Sequence, residues 1–334
     1  MTCLRPSRVS EFKRRTYAIL LMASALMSPA VHAADFPSKP ITIYTASAPG
    51  SGPDMVLRYV SDRLERVWNQ EVKVENRPGG AGFIAIGAAR REAADGHSLL
   101  QLECEHLTAL QHLFKSRNFN ALNVFDPVTG LLKTPFMLTV SRQSMWKDVP
   151  DLVEAASRTP DEVTYGSWGV GSAGHLGAAL LELSVGIKTA HLPFQNVSEL
   201  YNAVANGHVS WSFASIPSSM EAYREGRIRY LAVAAPKRID LFPNVPTLAE
   251  AGGPSGLSIE SCALLVVLKG VSEAVRSQIH HDVQKVLSEP AVLEMMRGFA
   301  YEPLPWSANE IRDYAARRSS EYEELINQAN IRLD

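Results

Sequence analysis

Thr42-Ile43-Tyr44-Thr45-Ala46-Ser47-Ala48-Pro49-Gly50-Ser51-Gly52-Pro53-Asp54 changes character twice. A short run with β-branched residues reads as a strand, and a small-residue, Gly/Pro-rich turn follows it. Beyond the turn, Val56, Leu57, Val60, Leu64 and Val67 recur at three- and four-residue spacing, as on the buried face of a helix. Pro53 suits the first helical turn, where its missing N–H costs nothing, and Ser51 is a candidate cap. Two readings stay open at this point. One is a plain strand-turn-helix connection. The other is a cradle for an anion or ligand carboxylate, in which small side chains expose backbone N–H groups beside a helix N-terminus. The turn holds neither G-x-x-x-x-G-K-[ST] nor G-x-G-x-x-G, so the common nucleotide signatures are absent.

The same device recurs downstream. Val163-Thr164-Tyr165 reads as a strand, Gly166-Ser167-Trp168-Gly169-Val170-Gly171-Ser172-Ala173-Gly174-His175-Leu176 as a turn, and the segment to Leu183 as a helix. Between the two units, residues 71–75 and 98–102 read as strands and 83–91 as a helix. This alternation predicts an α/β protein with mostly parallel sheets flanked by helices. Ligands bind such sheets beyond the carboxyl ends of the strands. Two such turns in separate domains predict a ligand clasped between lobes. A crossover is expected near 135–145, and residues 236–256 read as a long Pro/Gly-rich connection. The apolar strand Cys262–Val267 is expected to return to the first sheet. The expected division is lobe 1 over 34–138 and 257–334, and lobe 2 over 139–256. Helices are expected over 272–288, 290–297 and from a Ser307/Glu310 capping box to about Asn327.

A chain of 334 residues that is 46% hydrophobic can bury the cores of two domains. Lys13-Arg14-Arg15, an apolar run from Tyr17 to Val31 and the end Val31-His32-Ala33 predict a secretory signal peptide over residues 1–33, with a retained membrane anchor as the alternative. Its removal leaves 28 Lys+Arg against 34 Asp+Glu, a net charge of about −6. No basic block remains to track a nucleic-acid backbone, and no later segment is apolar and long enough to span a bilayer. The mature chain is expected to be a soluble monomer outside the cytoplasmic membrane. Cys104 and Cys262 then remain. An oxidising compartment permits a bridge, and two buried thiols are an equal alternative.

Glu103-Cys104-Glu105-His106 falls at the end of a strand. These carboxylates read either as solvent-facing edge residues or as an acidic wall that selects a cationic or hydroxyl-bearing ligand. His106 reads as structural or as part of that wall, and Trp168 as a lid or a packed surface aromatic. Phe194 lies in a short strand and turn over 190–196. Phe213, Ala214 and Ser215 end a strand expected to reach the cleft. No G-x-S-x-G elbow or H-E-x-x-H motif occurs. Ser172 and His175 lack an identifiable orienting acid. The chain is therefore read as a binding module without catalytic residue, cofactor or metal, with a secreted hydrolase and a sensor's ligand-presenting subunit as alternatives.

The family-like marks are Lys39-Pro40-Ile41, Ala48-Pro49-Gly50 with Asp54, Val74-Glu75-Asn76-Arg77-Pro78-Gly79-Gly80-Ala81-Gly82 and Ala94-Asp95-Gly96. They continue with Tyr165-Gly166-Ser167, Gly169, Gly171-Ser172, His175-Leu176 and His191-Leu192-Pro193-Phe194. They end with Arg238 and Phe242-Pro243-Asn244-Val245-Pro246-Thr247-Leu248-Ala249-Glu250. Through these marks nearly the whole mature chain resembles the tripartite tricarboxylate transporter substrate-binding proteins, the Bug/TctC family. The resemblance implies a periplasmic two-lobed Venus flytrap that captures small carboxylates or related solutes for a membrane permease. It also implies ligand contacts from residues 46–54, including Ser47, Ala48, Pro49, Gly50, Ser51, Gly52 and Asp54. In the second lobe it implies contacts from Ser167, Trp168, Gly169, Val170, Gly171, Ser172 and His175.

Three departures from the family pattern point to an atypical ligand. Ala46, Ser47, Ser51 and Pro53 replace residues of the usual first turn. Ala214 stands where Asp is common. Glu103 and Glu105 occupy a normally neutral loop. The expected solute bears a hydroxyl, amide or cationic group.

Overall fold

Strand β4 (Phe125–Ser141) is 17 residues long and belongs to both halves of the molecule. In the computed structural model, residues 36–194, 196–331 and 333 are described, so the expected leader lies outside the described residues. From Phe125 to Pro135, β4 pairs antiparallel with β9 (Glu260–Leu268). From Phe136 onward it pairs with β7 (Trp211–Ser215) and β8 (Ile228–Val233). The partner exchange is bound tightly by backbone hydrogen bonds. Phe136 N–H donates to Ile259 O at 2.9 Å, Ile259 N–H to Ala234 O at 3.0 Å and Ala234 N–H to Phe136 O at 2.8 Å.

The first lobe's sheet runs β2 (Val72–Asn76), β1 (Ile41–Thr45), β3 (Ser98–Glu103), β9 and β4, with β10 (Glu302–Pro303) also on β4. The second runs from β4 through β7 and β5 (Thr164–Ser167) to β6 (Ala190–Pro193), with β8 on β4. The outer strands β1–β2, β1–β3, β5–β6 and β5–β7 carry the expected parallel pairing. The strands that connect the lobes run antiparallel to their neighbours, so each sheet is mixed. The reason is topological, since β4 leaves the first lobe and β9 returns beside it. Among the described residues no helix is long and apolar enough to cross a membrane.

The expected helices form, and Cys104–Thr108 and Leu110–Leu113, where none was expected, are helical as well. In chain order the twelve are α1 (Gly52–Trp68), α2 (Phe83–Ala89), α3 (Cys104–Thr108), α4 (Leu110–Leu113), α5 (Ala121–Val124), α6 (Val149–Arg158), α7 (Ala173–Val185), α8 (Val197–Ala205), α9 (Ile216–Arg224), α10 (Glu273–Leu287), α11 (Pro290–Gly298) and α12 (Ala308–Gln328) among the described residues. On α1, Val56, Leu57, Val60 and Leu64 are buried, whereas Val67 is 45% exposed and lies outside the stripe. Ser307 and Glu310 form the expected capping box of α12.

Candidate functional site

Each lobe sends a turn from the carboxyl end of a strand into a helix, and the two turns are built alike. In the first, Gly50 lies at φ +78° and its N–H donates to Asp54 Oδ2 at 2.8 Å. In the second, Gly171 lies at φ +81° and its N–H donates to His175 Nδ1 at 2.9 Å. In both, a glycine amide meets a side chain four residues on, in the first turn of the following helix. Asp54 is 1% exposed and also accepts from Asn76 Nδ2 at 2.7 Å and Arg58 Nε at 3.1 Å. Burial opposes its ionisation, yet these donors hold its carboxyl below the ordinary range. Asp54 therefore builds the turn from below.

Several of the amides expected to cradle an anion are engaged internally. Ser51 N–H donates to Ala48 O, Gly169 N–H to Ser167 Oγ and Ser172 N–H to Gly169 O. Ser47 is buried over Gln101, whose Oε1 accepts from the Thr45 and Ser47 hydroxyls. Ala48, Pro49 and Gly50 are exposed. Gly52 lies against the Tyr301 hydroxyl, where a side chain would collide.

Beneath the second turn lies an aromatic stack that sequence reading missed. His175 and His191 rings are 4.2 Å apart, Tyr165 stacks on His191 at 4.8 Å, and Trp211 follows at 5.3 Å from Tyr165. Ser167 is fully buried, and its hydroxyl meets His191 Nε2 at 2.7 Å. Burial and the neighbouring His191 lower His175 to about 3, while burial lowers His191 to about 4, so both rings are neutral at neutral pH. Ser172 Oγ donates to Gly169 O at 2.7 Å and accepts from His175 N–H at 3.4 Å. Ser172 and His175 thus form a helix cap and a turn support instead of a nucleophile and base.

A cavity of 170 Å³ opens where the lobes face one another. Its first-lobe wall includes Ala81, Glu103, Glu105, His106, Leu110, Leu113 and Phe114. Its second-lobe wall is Trp168, Val170, Gly171, Ser172 and Ala173, and Leu333 also lines it. The structure thus brings together Glu103, Glu105, His106, Trp168, Val170, Gly171 and Ser172 from the sequence candidates. The 46–54 turn, Ser167, Gly169, His175 and Phe194 are outside this lining. Phe213 and Ala214 are fully buried in the hydrophobic cores. Ser215 precedes α9, with its hydroxyl against Ser218 Oγ. Leu110, Leu113 and Phe114 had a legible signal in their three- and four-residue spacing; Leu333 had none, because only folding of the chain end brings its N–H to Leu113 O.

The solvent-edge reading of the acidic turn does not hold, since both carboxylates line the cavity and Glu105 is only 8% exposed. Cys104, between them, is bonded to Cys262 with Cα atoms 5.4 Å apart, which replaces the two-thiol alternative. His106 Nδ1 accepts from Glu103 N–H at 3.1 Å, and burial lowers this histidine to about 4. Burial raises Glu103, and burial followed by the Glu103 charge pushes Glu105 from 4.5 to about 8.

Glu105 therefore holds its proton more tightly in the folded chain. That stabilisation is complete below about pH 4.5 and is lost as pH rises toward 8. Glu105→Gln, which cannot ionise, is expected to match wild type near pH 4 and melt higher at pH 8. Thermal melts across this range check the expectation, and parallel curves contradict it.

Among the described residues no group of His, Cys, Asp and Glu is suited to hold a metal ion. A two-lobed α/β body, a long strand and a returning segment that cross between lobes, and one cavity walled by both define a solute-binding-protein architecture. The profile of the "Tripartite tricarboxylate transporter family receptor" matches residues 56–331, and the chain belongs to that family. The "UPF0065 protein in tcbD-tcbE intergenic region" of Pseudomonas sp. strain P51 is 26% identical over 322 residues, covering 96% of each chain. A solved structure described as "Structure of a periplasmic transporter" is 26% identical with TM-score 0.79, covering 90% of this chain and 100% of that one. The R. palustris protein Rpa4515, solved with adipate, shares the fold at 24% identity and TM-score 0.81, covering 89% of this chain and 100% of its own.

Proposed function

We propose that this chain is a periplasmic binding protein that captures a small organic acid or related solute between its lobes and delivers it to a tripartite tricarboxylate-type membrane permease. The observation that carries this reading is the cavity walled by Glu103–Phe114 from one lobe and Trp168–Ala173 from the other. A solute there touches both walls at once. Those contacts exist only when the lobes meet, so binding favours the closed arrangement by their differential free energy. β4 and the returning Ile259–Glu260 segment are the elements about which the lobes would turn.

Binding without turnover is the expected chemistry, because the serine and histidine pairs support turns and one another. The 170 Å³ volume corresponds to about five or six water molecules, which suits a short-chain solute. A melting-temperature screen of carboxylates, aromatic acids, amides and amino acids, followed by calorimetry on each hit, tests the reading. At least one small solute is expected to bind with one-to-one stoichiometry. Turnover of an ester or amide, or no response to any class, contradicts it.

A further inference from the structure

The cavity is chemically lopsided. Its first-lobe wall carries two carboxyl groups, and no lysine or arginine occurs among the described lining residues. Glu105 Oε2 is buried with no hydrogen-bond partner among the described residues. A buried acceptor in this state gains more from a matching donor than one already hydrated. Glu105 is surrounded by Glu103 and His106 on its own turn, Glu260 on β9, and Tyr314, Arg318 and Tyr322 on α12. Arg318, the cation of this set, is 2.6 Å from Glu321 and lies over the Tyr322 ring at 4.6 Å. His106 is held neutral by burial.

On the opposite side, part of the turn is already committed. The Gly169, Gly171 and Ser172 amides already donate within their own turn. Trp168 and Phe114 also line the cavity, and aromatic faces attract cations. A second carboxylate in this space would meet two acidic groups and no positive partner. A primary ammonium brings three donors to the acceptors that lie there.

Resting on the solute-binding reading above, we propose that Glu103 and Glu105 form a subsite for a protonated amine. The preferred solute is then a short amine-bearing acid, with its ammonium on the Glu103–Glu105 wall. A dicarboxylate of the same length is disfavoured because it brings no N–H donor to the buried Glu105 oxygen. Docking of the ammonium draws Glu105 into its ionised form, so association near neutral pH releases a proton.

Calorimetry of the protein with β-alanine, γ-aminobutyrate and putrescine against succinate, glutarate and adipate, in two buffers of different ionisation enthalpy, tests the subsite. The amines are expected to bind about tenfold or more tightly than the dicarboxylates, with measurable proton release. Glu105→Gln is expected to erase both the preference and the proton release, and Glu103→Gln to weaken the preference. Dicarboxylate binding that equals or exceeds amine binding overturns the subsite and leaves the solute-binding reading standing. An amine preference that survives Glu105→Gln, or amine binding without proton release, also overturns it. Failure of every amine to bind overturns the subsite, and failure of the wider carboxylate, amide and amino-acid screen as well removes the solute-binding reading.

Discussion

Replacing both Cys104 and Cys262 by alanine is expected to lower the melting temperature by about 5–15 °C. The bridge links residues 158 apart in sequence. In the chain-entropy account a loop of that length is worth about 5 kcal/mol, and measured bridges give about 2–4 kcal/mol. Each kcal/mol moves the midpoint by about 2–4 °C in a protein of comparable size. The bridge also ties α3 to β9 between Glu103 and Glu105. Its loss is therefore expected to weaken solute binding even below the new melting temperature, because the acidic turn is no longer anchored from behind. Thermal melts and calorimetry of the double variant check both effects. A variant that melts and binds as wild type would show that sheet packing alone positions the turn.

Gly171→Val is expected to reduce solute affinity by about tenfold to a hundredfold, the equivalent of about 1.4–2.8 kcal/mol. Gly171 holds φ +81°, where a β-branched residue is strained. A Cβ there would lie 2.6 Å from Leu113 Cδ1 and 3.5 Å from Leu333 Cδ1, both from the other side of the cavity. Leu113 has little room to yield, because it is 3% exposed within the cluster of Ala109, Leu176, Ala179, Tyr322, Leu325 and Ile326. The added side chain thus opposes the approach of the lobes as well as straining its own turn. Gly169→Val separates the two causes. Gly169 lies at φ +123°, and a Cβ added there would meet nothing within 4 Å, so it suffers strain without the collision. A greater affinity loss at Gly171 than at Gly169 is the expected calorimetric result; equal losses would place the effect in backbone strain alone.

The readable parts of this sequence are those with local causes. Strand-turn-helix order around Thr42–Asp54 and Val163–Leu176 follows from side-chain periodicity and small residues, and the structure has it. The long β4 is harder, because Lys133-Thr134-Pro135 reads as a bend. Pro135 instead sits where β4 leaves β9 for its second-lobe partners, and register shifts near Pro127 and Gly130 keep the strand continuous. The engaged amides are hidden for another reason. Gly50–Asp54 and Gly171–His175 share a four-residue spacing, but a spacing does not say whether the later side chain faces the turn or a ligand. Only the buried geometry decides that Asp54 and His175 support the backbone. The stacking of His175, His191, Tyr165 and Trp211 joins four separated segments and carries no local signal.

If one solute contacts both lobes across the Glu103–Phe114 and Trp168–Ala173 walls, amide hydrogen exchange with and without the tightest solute from the screen will register it on both. The two segments are expected to gain protection together, while the exposed cavity beside Pro217, Arg224 and Phe299 is unaffected. Protection confined to one lobe, or centred on that second cavity, would contradict a solute held between the lobes.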